Sequence, residues 1–159
     1  NLRFRADNPC EPASRNEHIM PLATLPFDQL AAYDRLCFPA PRPVFLQDWI
    51  TQSTGLALAY HRDDKLQGYG VIRQCREGCK LGPLFADDAD IADALYTQLA
   101  TFAATGPLFL DAPENNPDAM ALVRRHNMTE VFGCARMYLG QPPALEHERI
   151  YGVTTFELG

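Results

Sequence analysis

Residues 78–104, GCKLGPLFADDADIADALYTQLATFAA, contain the pattern that decides the fold. The run from Lys80 to Ala86 is short and apolar, and two aspartates close it, which is typical of a buried strand. Large apolar side chains then recur at helical spacing from Ile91 to Phe102, with alanines between them. The stretch therefore predicts a strand that turns into an amphipathic helix. Such junctions aim backbone N–H groups at one point, where many proteins hold a phosphate.

The bulk composition limits the class of protein. With 159 residues, 47% of them hydrophobic, the chain is expected to build one domain around one core. A net charge of −6 and a pI near 5.1 argue against nucleic acid or an anionic membrane surface as a partner. No apolar run approaches the roughly 18 residues that a membrane span needs. Five cysteines, an odd number, indicate reduced thiols in the cytoplasm, and the histidines and cysteines lack the spacing of metal ligands, so no metal site is predicted.

The first third of the chain reads as strand, linker, strand, helix and helix. Asn1–Arg5 alternates like a strand, and a linker rich in Asn and Pro follows it as far as Asn16. A short strand is predicted over His18–Leu25. Two helices are predicted next, over Pro26–Phe38 and Val44–Gln52, and prolines separate them.

The rest of the chain first gives an antiparallel meander and then alternates. The meander consists of three strands joined by short turns, predicted at Leu56–His61, Leu66–Gln74 and Cys79–Ala86. After the central helix, a strand, a helix and two further strands are predicted at Pro107–Ala112, Pro117–His126, Thr129–Leu139 and Ile150–Leu158.

This order of elements, with a central strand-to-helix junction and a later helix that begins at Asn116, resembles the GNAT acyltransferase family over His18–Gly159. The phrases GYGVIRQCREGCKLGPLFADD, PLFLDAPENNPDAMALVRRHNM, CARMYLG and RIYGVTTFELG are similar to the C-terminal half of tandem GNAT proteins of the YitH type. The resemblance implies an α/β (α+β) GNAT fold, in which four helices flank a mixed, mostly antiparallel twisted sheet of about six to seven strands. Residues 17–159 would form the C-terminal GNAT-like domain, and residues 1–16 would be a strand remnant of a preceding domain plus a linker.

The resemblance also implies a function and a cofactor. It implies acyl transfer from acetyl-CoA to a small-molecule or peptide amine, with an N-terminal GNAT lobe of the same protein and possibly a second copy of the chain as partners. In a GNAT fold, the strands Leu81–Ala86 and Leu108–Asp111 would splay apart and leave a cleft for the acyl pantetheine arm. The residues that would bind the cofactor are therefore Leu84, Phe85, Ala86 and Asn116.

Five further residues are candidates for catalysis or for substrate binding. Asp111, at the mouth of the expected cleft, is a candidate general base, and Tyr138 is a candidate general acid. The alternatives are a solvated carboxylate and a tyrosine that only packs its ring. The candidates for substrate binding are Arg73, Arg136 and Glu114; the arginines are equally compatible with ordinary ion pairs.

The turn that would hold the CoA pyrophosphate departs from the family's pattern of Gln/Arg-x-x-Gly-x-Gly/Ala. The matching residues are 87–92, where Asp90 takes the place of the first glycine and three aspartates stand together. Carboxylates repel a phosphate, whereas they cap the start of a helix well. Asp87, Asp88 and Asp90 are therefore predicted to act as helix caps. This departure motivates a second hypothesis, a catalytically silent GNAT-like module that recognises substrate or forms an interface between domains.

Overall fold

A computed structural model describes residues 1–7, 9, 16–103 and 106–157 of the chain. Over these residues it forms eight strands and four α-helices. The strands are β1 Leu2–Ala6, β2 Ile19–Pro21, β3 Gly55–Arg62, β4 Lys65–Gln74, β5 Cys79–Ala86, β6 Leu108–Ala112, β7 Thr129–Gly133 and β8 Ile150–Gly152. The helices are α1 Phe27–Cys37, α2 Pro43–Ile50, α3 Ala89–Ala100 and α4 Pro117–Arg125. Most of the predicted linker, including Cys10, and the predicted end of the last strand at Leu158 lie outside the described residues.

The strands form one mixed sheet in the order β2-β3-β4-β5-β6-β1-β7, and β8 pairs with β5 outside this order. The predicted meander is present as β3-β4-β5, and adjacent strands within it run antiparallel. Only β5 and β6 run parallel, and α3 makes the crossover that a parallel connection requires. The predicted GNAT architecture of a mostly antiparallel sheet with four helices is therefore confirmed.

Helices cover both faces of the sheet. Along β4, Val71 and Ile72 point to opposite faces because side chains alternate along a strand, and each belongs to a different buried cluster. The cluster around Ile72 includes Leu95 and Leu99 of α3, whereas that around Val71 includes Leu30 of α1. The core is therefore made of two apolar layers with the sheet between them.

The first strand is an interior strand of this sheet. β1 pairs antiparallel with β6 on one side and with β7 on the other, so that Leu2 is opposite both Ala112 and Gly133. Phe4 and Ala6 of β1 are buried in the core. The strand predicted at the start of the chain is therefore present and belongs structurally to this sheet. That residues 1–16 derive from a preceding domain stays a prediction.

Three predicted strands are shorter than expected. The segment predicted at His18–Leu25 is a strand only over Ile19–Pro21, and a 3₁₀ turn follows it. The long strand predicted at Thr129–Leu139 ends at Gly133, because its last ladder bond joins the Cys134 N–H to the Asn1 carbonyl and no other described strand lies alongside it. Tyr138 therefore lies in irregular chain. The final strand ends at Gly152, and it lies next to β5 inside the sheet.

Candidate functional site

The strands β5 and β6 run together and then diverge. They are paired only over Cys79–Leu81 and Leu108–Leu110. Pro83, which has no N–H to donate to a neighbouring strand, lies just past the last pair. The splay that the family resemblance implies is therefore present, and it begins at the middle of β5.

The gap between the splayed strands is filled by β8. On the β5 side, Gly152 is opposite Leu84 and Ile150 is opposite Phe85, in antiparallel pairing. On the β6 side, the Val153 N–H donates to the Asp111 carbonyl at 2.8 Å. The expectation of an open cleft for a pantetheine arm is therefore wrong for this structure, because a segment of the same chain pairs with the backbone of both walls.

The β8 segment, which is β8 together with the two residues after it (150–154), is part of the hydrophobic core. Ile150, Tyr151 and Val153 are 3%, 1% and 2% exposed, and Tyr151 packs on the α3 side of the sheet. Two glycines let the segment approach closely. A Cβ on Gly152 would come within 2.5 Å of a methyl of Leu110, and a Cβ on Gly82 would come within 2.6 Å of backbone carbonyl oxygens in the segment. The segment and its groove therefore fit each other closely.

Asn116 attaches this segment to the start of α4. Its Oδ1 accepts from the backbone N–H groups of Asp118 and Ala119, at 3.0 and 3.2 Å, and so caps the helix. Its Nδ2 lies 3.2, 3.1 and 2.9 Å from the carbonyl oxygens of His147, Glu148 and Ile150, respectively. The side chain is buried and uses both ends on the protein itself. The polar atoms of the residue expected to bind the cofactor are therefore already engaged.

The predicted aspartate caps divide into three different roles. Asp88 caps α3, since its Oδ1 accepts from the Ile91 N–H at 2.8 Å. Asp87 is not a cap; it accepts from the Tyr33 hydroxyl at 2.7 Å and forms an ion pair with Arg149. Asp90 is exposed in the first turn of the helix. The prediction is therefore confirmed for Asp88 and wrong for Asp87.

Acidic residues at the starts of two helices affect the pKa of Tyr151. Burial raises the pKa of Tyr151 to about 12, and the negative charges of Asp118, Asp88 and Asp90 add to the increase. These carboxylates stand in the first turn or at the cap of α3 and α4, where helix dipoles would otherwise favour an anion. The end of the splay between β5 and β6 that would face the CoA phosphates is therefore negatively charged.

Acetyl-CoA does not fit the described residues of this chain. Leu84, Phe85 and Ala86 are buried in β5, where they pair with β4, and Leu84 and Phe85 also face β8. Asn116 is used by the chain itself, and the turn before α3 contains carboxylates in place of the glycines that bring backbone close to phosphate. We therefore derive no chemical step through the cofactor in this chain.

Three of the predicted residues meet in a groove of about 440 Å³ beside the β8 segment. Glu114, Arg136 and Tyr138 all line it, and His147 and Asn115 contribute to its walls. The Arg136 guanidinium lies 5.5 Å from the centre of the Tyr138 ring. Three of the candidate residues, a carboxylate, an arginine and a tyrosine, therefore lie together at the surface.

Asp111 and Arg73 lie elsewhere. Asp111 is completely buried, and its carboxylate accepts from Arg3 at 2.7 and 2.9 Å and contacts the Lys80 ammonium. The expected position of Asp111 at the cleft mouth is wrong. Because β6 pairs with β1, Asp111 lies directly opposite Arg3, and its side chain is buried beside that residue. Arg73 lies over the Trp49 ring, 5.2 Å from its centre. The contacts of Arg3 and Lys80 with Asp111 are not predicted from the sequence, since no local spacing signals contacts between distant strands.

Three further features of the chain concern possible metal ligands, membrane-spanning helices and disulfide bonds. Within the described ranges, no group of three or more His, Cys, Asp or Glu side chains is placed to hold a metal ion. None of the helices described for this chain is both long and apolar enough to cross a membrane. The cysteines that the structure describes, Cys37, Cys75, Cys79 and Cys134, are free thiols.

The topology and the splayed central strands define a GNAT acetyltransferase fold. The sequence profile of the family described as "Acetyltransferase (GNAT) domain" matches residues 30–152. The chain therefore belongs to the GNAT acetyltransferase family.

Similar proteins agree with this assignment. The chain is 26% identical over 133 residues to holothin acyltransferase of Pseudoalteromonas sp. (strain SANK 73390), covering 83% of this chain and 45% of that protein. It is 33% identical over 90 residues to the uncharacterized N-acetyltransferase YitH of Bacillus subtilis (strain 168), covering 57% of this chain and 32% of that protein. The chain therefore spans less than half the length of these relatives.

Solved structures show the same fold. A putative acetyltransferase from Pyrococcus horikoshii superposes with a TM-score of 0.76 at 23% identity, over 100% of this chain and 52% of that one. An aminoglycoside antibiotic 6'-N-acetyltransferase from Acinetobacter baumannii gives a TM-score of 0.57 at 21% identity, over 78% of this chain and 98% of that one. At these identities the likeness concerns the fold alone.

Proposed function

We propose that this chain is a CoA-free GNAT lobe that recognises the acceptor for an acyl-CoA-dependent N-acyltransferase. The family and the names of its relatives, an acyltransferase and an N-acetyltransferase, support the activity of the whole protein. One observation carries the role of this lobe, namely that β8 fills the splay between β5 and β6 while Asn116 holds it there. The cytoplasmic location stays a prediction.

The free energy of burying the β8 segment favours a lobe without a CoA site over a site that forms when the cofactor displaces β8. Fully burying an apolar side chain contributes about 1.5 to 3 kcal/mol, so exposing Ile150, Tyr151 and Val153 would cost about 5 to 9 kcal/mol. A cofactor that binds an open groove with a Kd of about 1 μM gains about 8 kcal/mol. After displacement of β8, little of that affinity remains.

Titration calorimetry and thermal unfolding of the purified chain test the absence of a CoA site. We expect no saturable heat and no rise in Tm at about 1 mM acetyl-CoA, since a ligand at about 100 times its Kd would stabilise the fold by about 2.7 kcal/mol. A micromolar Kd for acetyl-CoA would overturn the proposal for this lobe.

The groove lined by Glu114, Arg136 and Tyr138 is the proposed acceptor surface. A carboxylate beside an aromatic ring suits a protonated amine, because the ammonium is attracted by the charge and by the ring face. In the full-length protein, we expect Glu114→Gln to raise the KM for the amine about tenfold with little change in kcat. Glu148→Gln is the matched control, as Glu148 is exposed and does not line the groove. Equal KM values for both variants would contradict the assignment.

The predicted N-terminal GNAT lobe and the predicted homodimer remain proposals. The first is supported by the length of the relatives, of which this chain matches 45% and 32%. The edge strand β7 offers a surface for such a partner, since all its residues are exposed, Val131 and Phe132 by 49% and 55%. Light scattering of the isolated chain would distinguish a homodimer from a monomer that needs the other lobe.

A further inference from the structure

Three basic side chains converge on one face of the sheet, away from the groove described above. Arg73 on β4 is opposite Lys80 on β5, and Arg3 on β1 is opposite Asp111 on β6. Lys80 is in turn opposite Phe109 on β6, two residues before Asp111. Because paired residues and residues two apart share a face, these side chains all point to the same side of the sheet.

The buried part of this cluster has an excess of positive charge. The single carboxylate of Asp111 is shared by two cations, Arg3 and Lys80. The Lys80 side chain is only 6% exposed. Burial lowers the pKa of Lys80; the contact with Asp111 opposes this decrease, while the nearby positive charges of Arg3 and Arg73 add to it. The ammonium therefore lies where a second negative charge would be favourable.

Arg73 adds a third cation that has no acidic partner among the described residues. One of its terminal nitrogens donates to the Cys75 sulfur at 3.3 Å, and the sulfur of a cysteine is a weak acceptor. Its Nε is buried and has no hydrogen-bond partner within the described part of the chain. A buried donor without an acceptor is unfavourable, because it has lost its hydrogen bonds to water. An anion that accepted from this guanidinium would remove that cost.

A cavity of about 260 Å³ opens between these groups. It is lined by Arg3, Arg73 and Lys80, by the ring of Phe109 and by the buried Thr155, and the exposed Glu77 and Glu157 lie at its rim. Glu77 is hydrogen-bonded to Arg5. The two rim carboxylates oppose a ligand with several negative charges, whereas the excess of cations inside favours one with a single charge.

We propose that this cavity binds a small monocarboxylate. One carboxylate oxygen would accept from the Arg73 guanidinium and the other from the Lys80 ammonium, which has three donors and uses one on Asp111. The ring of Phe109 would contact the apolar part of the ligand. The Arg73 guanidinium lies over the indole of Trp49, 5.2 Å from its centre, and this contact supports its position beside the cavity.

Nuclear magnetic resonance titration of the isotope-labelled chain with acetate and, separately, with inorganic phosphate tests the proposal. We expect saturable shifts of the Lys80 and Thr155 amide signals with acetate at a Kd of about 1 to 10 mM, and weaker binding of phosphate. Arg73→Leu should weaken acetate binding at least about tenfold, and Arg73→Gln, which keeps a polar side chain over Trp49, should weaken it comparably. The matched control is Arg62→Leu at the exposed end of β3, for which the Kd should not change.

Three results would overturn the proposal. The first is a shift that remains linear up to about 100 mM acetate, which indicates no site. The second is unchanged affinity in both Arg73 variants with the remaining spectrum preserved, which places the binding elsewhere. The third is tighter binding of phosphate than of acetate, which assigns the cavity to phosphate. None of these outcomes depends on acyl transfer or on acetyl-CoA.

Discussion

At the scale of single residues, Asn116 shows how one side chain decides between two uses of a groove. The sequence correctly predicts a helix start at this asparagine, whereas the family resemblance implies a cofactor contact. What local sequence cannot show is the partner of the amide nitrogen, because the three carbonyl groups it faces lie 31 to 34 residues further along the chain. The predicted cofactor contact is thereby replaced by a contact within the protein.

Substitutions of Asn116 should separate its two roles. Asn116→Ala removes a helix cap, which costs about 1 kcal/mol, and leaves buried carbonyls without a donor, which costs about 1 to 3 kcal/mol. We expect the free energy of unfolding, measured in urea, to fall by about 2 to 4 kcal/mol. Asn116→Asp keeps the cap and loses the donor, so it should also be strongly destabilising. If Asn116→Asp were as stable as the unmodified chain, the contact with the β8 segment would contribute nothing.

Asp34 is a second residue whose loss should be costly. It is 1% exposed, accepts from Arg42 at 2.9 and 2.6 Å and from the Tyr69 hydroxyl at 2.6 Å, and Arg42 in turn donates to Thr154 just after β8. We expect Asp34→Ala to lower the free energy of unfolding by about 3 to 5 kcal/mol, because it leaves the buried guanidinium uncompensated. The double variant with Arg42→Met should recover part of this loss. A double variant as unstable as the sum of the single ones would contradict an interaction between the two side chains.

At the scale of elements, the parts that follow local rules could be predicted and the parts that depend on distant partners could not. The central strand and helix, the meander and α4 have apolar periodicity, caps and turns within their own sequence, and all are present. The lengths of β7 and β8 and their positions depend on which strand lies beside them. β8 lies in the interior of the sheet because β5 and β6 separate there.

The close approach of the β8 segment to β5 can be tested at Gly82. A Cβ there would lie 2.6 Å from the carbonyl oxygens of Val153 and Thr154, and backbone atoms cannot move aside cheaply. We expect Gly82→Ala to destabilise the fold by about 1 to 3 kcal/mol in chemical unfolding. Gly133→Ala is a suitable control, because its new methyl would meet only the end of the Leu2 side chain, at 3.0 Å. Equal effects in the two variants would show that the segment is not held close to β5.

At the scale of the whole molecule, buried protonated groups are expected to make the free energy of unfolding fall as the pH becomes alkaline. Burial raises the pKa values of Tyr33, Tyr69, Tyr151 and Cys37, so the folded state holds these protons more tightly than the unfolded state does. The unfolded state therefore binds fewer protons once the pH exceeds the ordinary values of 9.0 for Cys and 10.0 for Tyr. Lys80, with its lowered pKa, has the opposite effect over the same range.

Since the groups with raised pKa values, which also include Cys79, outnumber the one with a lowered pKa, we expect the free energy of unfolding to fall between about pH 9 and pH 11. Each group contributes at most about 1.4 kcal/mol per pH unit. Urea unfolding at several pH values measures the slope. Tyr151→Phe removes one of the titrating groups and should reduce the slope, whereas Tyr60→Phe, in which a less deeply buried phenol is lost, is the control. A slope that is flat, or that rises with pH, would contradict the burial of these protons.

The interior position of β1 has a consequence for the time course of folding. Arg3 and Asp111, which meet across β1 and β6, are 108 residues apart in sequence, whereas the three strands of the meander are joined by short turns. Closing a long loop costs more entropy before any contact repays it, so long-range pairings form late. The meander and α3 can assemble as soon as they leave the ribosome. β1 can pair only after β6 and β7 have been synthesised, so we expect it to join the sheet after the meander has formed.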